Sequence, residues 1–124
     1  MPKIFFKEES YKIIGICMEV HNNLGPGFLE IVYKDALTYE FLKEGIPFER
    51  EKMYEVNYKG TILSHKFYAD FVVYENIILE VKGCSGITVE VVARGVTYLK
   101  VSGSELAVIV HFGDLKLSYK RIIL

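Results

Sequence analysis

With 124 residues, 51% of them apolar, the chain has the length and the apolar content of one packed domain. Its apolar runs are too short and too interrupted to span a bilayer, which excludes a membrane helix. Fifteen Lys and Arg against sixteen Asp and Glu give a net charge of -1, so no global basic surplus drives non-specific nucleic-acid binding, and any such partner needs a local basic stripe or bound divalent cations.

The opening residues, Met1 to Glu9, lack the apolar core and small-residue cleavage site of a secretory signal, and a cytoplasmic location is expected. Residues 8 to 23 place Ile13, Ile14, Cys17, Met18 and Val20 at helical spacing, and Leu24-Gly25-Pro26-Gly27 stops the pattern. A second helix is predicted from about Phe28 to Glu44, with Leu29, Val32, Tyr33, Ala36, Leu37 and Phe41 as its stripe and Gly45 as its end. The period then changes. Residues 49 to 82 read as strands at 53–58, 62–73 and 77–82, divided by turns at Lys59-Gly60 and Glu75-Asn76. The run Ile77 to Val81 is almost continuously apolar, as expected of a central strand covered on both faces. After the loop at Gly83 to Gly86, Thr88 caps a third helix from about Val89 to Ser102, ended by Gly103. Leu106 to Phe112 and Leu115 to Ile123 are the last two strands. The order is α-α-β-β-β-α-β-β with a parallel crossover through the third helix, which predicts a single α/β domain over 1–124 with a mixed sheet flanked by helices.

Glu80 and Lys82 leave the same face of one strand because they are two residues apart. A hairpin across Glu75-Asn76 brings Asp70 roughly opposite Glu80, so two carboxylates and a lysine converge. Such oxygens suit Mg²⁺ or Mn²⁺. The plainer alternative is a cross-strand ion pair of Asp70 or Glu80 with Lys82 on a solvated face. Placement argues for a site, since Glu80-Val81-Lys82 ends the most apolar strand, where an unpaired charge is costly.

Glu30, in the first turn of the second helix, falls on the side of Leu37 and Phe41 and is expected to point inward; the alternative is an acid that complements the helix dipole. Glu90, Arg94 and Tyr98 share a flank of the third helix, where Glu90 and Arg94 have the spacing of a surface ion pair. The three histidines are scattered, and Cys17 and Cys84 read as free thiols, so neither zinc nor a disulfide framework is expected.

Gly27-Phe28-Leu29-Glu30-Ile31-Val32-Tyr33 resembles the Gly-x-x-Glu-x-x-Tyr signature of the GxxExxY proteins, a small-domain branch of the PD-(D/E)XK, or restriction-endonuclease-like, nuclease superfamily. Glu19 to Pro26, Tyr68 to Val73, Leu79-Glu80-Val81-Lys82 and Thr97 to Lys100 continue the resemblance over nearly the whole chain. It implies a restriction-endonuclease-like core and a Mg²⁺- or Mn²⁺-dependent nuclease acting on nucleic acid. In that scheme Asp70, Glu80 and the Val81 carbonyl hold the metal, Lys82 serves the attacking water and the phosphate charge, Glu30 completes the acidic site, and Tyr33, Arg94 and Tyr98 bind substrate or support it. Two positions depart from the pattern. Ala69 stands where the superfamily name has proline, and Arg94 stands where the helix motif usually has Gln; Arg94 can grip a phosphate or pair with Glu90 or Glu30. The competing reading is a non-catalytic module that binds nucleic acid or a protein, and an edge strand in so small a sheet allows a homodimer.

Overall fold

The computed structural model describes residues 6–84 and 86–124, so Met1 to Phe5 and Ser85, part of the predicted loop, lie outside the described residues. Helix α1 (Lys7–Leu24) buries Ile13, Ile14, Ile16, Cys17 and Val20, while Met18 faces solvent. Gly25, at φ 69°, ends it and returns its N–H to the His21 carbonyl. Helix α2 (Glu30–Glu44) buries Tyr33, Leu37 and Phe41 and stops at Gly45, which takes the left-handed conformation that glycine adopts without strain.

Seven strands and one helix follow: β1 (Phe48–Tyr54), β2 (Asn57–Tyr58), β3 (Thr61–Ile62), β4 (Phe67–Val73), β5 (Ile77–Lys82), α3 (Val89–Ser102), β6 (Leu106–His111) and β7 (Ser118–Ile122). Five of the strands form one sheet in the order β1-β4-β5-β6-β7. β5 and β6 are parallel, joined by α3, and every other neighbour is antiparallel. The apolar run from Ile77 to Val81 sits in the middle of this mixed sheet, buried on both faces, as its composition predicts.

The two segments read as strands at 53–58 and 62–73 each divide. Their outer ends pair only with one another as the β2–β3 hairpin, whose residues are all exposed and give the main sheet nothing to bury. Lys59 and Gly60 both take positive φ there, the geometry of a tight hairpin turn. β1 starts earlier than its composition suggests, at Phe48, because an edge strand tolerates the charged Glu49, Arg50, Glu51 and Lys52 along its length. Between β4 and β5 the positive φ falls on Tyr74 and Glu75 rather than on Asn76.

Helices α1 and α2 cover one face of the sheet, packed on Phe71, Val73, Leu79, Val81 and Val108. Helix α3 covers the other, over Val72, Ile78, Ala107, Ile109 and Ile122. Gly95 lets α3 approach closely, since a Cβ there would lie 2.6 Å from Ile122 Cδ1 and 3.1 Å from Ile109 Cδ1. No helix among the described residues is long and apolar enough to cross a membrane.

Candidate active site

The β4–β5 ladder runs from Val73 opposite Ile77 to Phe71 opposite Leu79, and there it stops. One step beyond, side chains replace the backbone partners. The Asp70 N–H donates to Glu80 Oε2 at 2.9 Å, and the Val81 N–H donates to Asp70 Oδ2 at 2.8 Å. An unpaired buried N–H costs roughly 1–3 kcal/mol, so each carboxylate answers a donor on the opposite strand as the two strands part. The side-chain alternation of β4 slips at the same point. Phe71 and Val73 pack beneath α1 and α2, whereas Ala69 and Val72 pack beneath α3, which leaves Asp70 at the change of phase. The strands thus open where the two acids meet, close to the register expected from the hairpin.

Glu80 is 3% exposed. Burial, reinforced by the negative charge of Asp70, pushes its carboxyl from 4.5 up to about 8, against the opposing pull of the Asp70 N–H, Lys82 and Lys34. Lys82 is half-buried on the same strand face, acts on Glu80 through space, and makes no ion pair among the described residues. The plainer alternative of a Lys82 ion pair with Asp70 or Glu80 is therefore not what the structure forms.

The cation on Asp70 is Lys34 instead. Its Nζ lies 3.0 Å from Asp70 Oδ1 and also contacts Glu51 Oε1. Burial works against the Lys34 ammonium, but its hydrogen bonds to Glu51 and Asp70 and their charges outweigh that and hold it above the ordinary lysine value. Sequence reading missed both Lys34 and Glu51. The available signal was a lysine one turn beyond Glu30 and three residues before Leu37, inside the apolar stripe of α2. Glu51 carried no comparable signal, being one of four consecutive charged residues.

Glu30 is the first residue of α2, and its Oε2 accepts the Gly83 N–H at 3.2 Å, immediately after β5. It is exposed rather than inward-facing, because the first turn of α2 lies against the loop beyond Lys82 and the buried stripe begins only at Tyr33 and Lys34. The fit is close: a Cβ on Gly83 would lie 3.5 Å from the Glu30 nitrogen. Tyr33 is fully buried, stacks on Phe112, donates to the Gly25 carbonyl at 2.6 Å and accepts from the Phe28 N–H, so it braces the turn that leads into Glu30. Tyr98 donates to the Tyr68 carbonyl at 3.0 Å, tying α3 to β4 two residues before Asp70. Burial first, then the charges of Glu80 and Asp70, raise its phenol well above the ordinary tyrosine range, while Arg94 pulls the other way. Arg94 is exposed, and among the described residues it forms no ion pair with Glu90 or Glu30.

The structure thus brings Asp70, Glu80 and Lys82 to one end of the β4–β5 pair, sets Glu30 and Val81 beside it, and holds Tyr98 against its α3 side. Among the described residues no three His, Cys, Asp or Glu side chains gather tightly enough to form a ready-made cage. The donor chemistry still fits a hard divalent cation, because Mg²⁺ keeps most of its waters and needs only one or two carboxylates. Glu80, buried beside a second acid, is a carboxyl that an added cation would help to ionise.

Residues 7–122 match the family model of the PD-(D/E)XK nuclease superfamily, and the chain belongs to that superfamily. The crystal structure of SSO0001 is similar in fold, with a TM-score of 0.62 at 16% sequence identity, and the alignment covers 95% of this chain. The chain spans 60% of that structure's length. A search of curated proteins found no match.

Proposed function

We propose that the chain is a divalent-metal-dependent nuclease that hydrolyses phosphodiester bonds of nucleic acid, with Asp70, Glu80 and Lys82 as its working groups and Glu30 in support. The observation that carries this reading is the interlock of Asp70 and Glu80 across the opened strands, with the Lys82 ammonium on the face of Glu80 and in no ion pair among the described residues. Asp70, Glu80 and the Val81 carbonyl would hold Mg²⁺ or Mn²⁺. When bound, that cation supplies Lewis-acid polarisation of the phosphate and lowers the pKa of a water.

The chain's own residues supply the rest. Lys82 orients the attacking water and offsets charge that builds on the phosphate oxygens. Glu30, anchored on the Gly83 N–H, fixes the position of the loop next to Lys82. Exposed Arg94 takes a phosphate of the substrate strand, and Tyr98 keeps α3 in place beside the acids. The motif set around Glu30 and Tyr33 favours the GxxExxY branch within the superfamily, and a cytoplasmic setting agrees with the free thiols of Cys17 and Cys84. The test is incubation with labelled single- and double-stranded DNA and RNA in Mg²⁺ or Mn²⁺. Cleavage that disappears in Lys82→Ala supports the reading. No cleavage of any substrate, with the fold intact, favours a module that only binds.

A further inference from the structure

Lys34 and Glu51 have no part in the reading above, yet both are built into its centre. The Lys34 residue is 7% exposed, and its ammonium touches Asp70 Oδ1 on one side and Glu51 on the other. Asp70 Oδ2 is taken by the Val81 N–H, so the ammonium sits on the oxygen that the fold leaves open. Glu51 reaches it from a backbone that few residues adopt: φ is 55° in the middle of β1, at the only position from Phe48 to Tyr54 that drops out of pairing with β4. A non-glycine residue held there is strained, and such outliers cluster where function requires them. The position that drops out is the one facing Asp70.

We propose that Lys34 is a resident cation on Asp70 that competes with the divalent ion, and that Glu51 is the acceptor to which its ammonium retreats when the ion binds. This rests on the metal reading of Asp70 and Glu80. A unit positive charge within about 4 Å of the incoming ion opposes it strongly in a partly buried site. A lysine has the flexible stem to swing away, and the Glu51 carboxylate, half-exposed at the rim, gives it a fixed second partner. Lys34 and Glu51 are thus positioning residues that set how tightly the site takes its metal, and they act in opposite directions.

The experiment is calorimetric titration of Mn²⁺ alone into wild type, Lys34→Met, Glu51→Gln, the double variant and Asp70→Asn, with circular dichroism to verify folding. Lys34→Met should tighten Mn²⁺ binding about tenfold, and Glu51→Gln, which leaves the ammonium only Asp70, should weaken it several-fold. In the Lys34→Met background the Glu51 change should have no effect, whereas a Glu51 that ligated the metal would weaken binding in both backgrounds. Binding confined to variants that lack Lys34 would overturn the retreat to Glu51, because the ammonium would then never leave Asp70. Shifts of the same sign in the two single variants overturn it, as does no shift in either while Asp70→Asn abolishes binding, and in that last case the metal reading stands. No binding by wild type or Lys34→Met overturns both. Should Lys34→Met fail to fold, Glu51→Gln decides alone, with weakened binding in support and unchanged or tighter binding against.

Discussion

Glu80→Gln is the substitution whose consequence for stability follows most directly from the geometry. Glu80 has its folded carboxyl raised from 4.5 to about 8, chiefly by burial and then by Asp70. Below the lower value both folded and unfolded chains carry the proton, so the group costs nothing. Between the two values the unfolded chain has released it and the folded chain keeps it, so stability falls as pH rises, by at most about 1.4 kcal/mol per pH unit. Gln keeps an acceptor for the Asp70 N–H and cannot ionise, so the variant escapes that loss. Discounted for screening in a site open at one end, the variant should gain about 2 kcal/mol on wild type between about pH 5 and about pH 8. Urea unfolding of both proteins in EDTA at the two pH values measures this, because titrating groups remote from Glu80 cancel in the difference. A stability difference that stays constant with pH would show that Glu80 titrates as an ordinary surface carboxyl and would refute the reasoning.

Three further outcomes follow from contacts around the site. Tyr98→Phe removes the hydroxyl that donates to the Tyr68 carbonyl and should cost about 1 kcal/mol in thermal or urea unfolding. Tyr33→Phe deletes both the bond to Gly25 and the acceptor for Phe28, and should cost about 1–2 kcal/mol while making the Gly25 to Phe28 turn exchange its amide protons faster. Gly95→Leu forces a side chain into space that Ile122 and Ile109 already fill, and overpacking should cost about 2 kcal/mol despite the better helix propensity of Leu. A fully tolerated Gly95→Leu would mean that α3 is not held close to the sheet.

The parts of the fold that could be read in the sequence are those set by local period and by single punctuating residues. Three helices end at Gly25, Gly45 and Gly103 because each takes positive φ there, and the apolar run from Ile77 to Val81 marks the central strand. The pair Glu80 and Lys82 was legible from strand alternation, and Asp70 from hairpin register. Local pattern could not show that the ladder opens one step past Phe71 and Leu79, since that depends on carboxylates bonding the backbone of a neighbouring strand. The same limit applies to Lys34 and Glu51, which come together across 17 positions of sequence only because α2 lies over the rim of β1. Angle alone puts Glu30 in line with Leu37 and Phe41, but at the first turn of α2 that direction meets the Gly83 loop in solvent rather than the core.

Whether Asp70 and Glu80 seat a divalent ion is answered most directly by crystallography with anomalous scattering from Mn²⁺-soaked crystals. An anomalous peak within coordination distance of both carboxylates, with the Val81 carbonyl beside it and the Lys34 ammonium turned toward Glu51, is the predicted result. A peak elsewhere on the surface, or none at saturating Mn²⁺ with the Lys34 to Asp70 contact undisturbed, would contradict it.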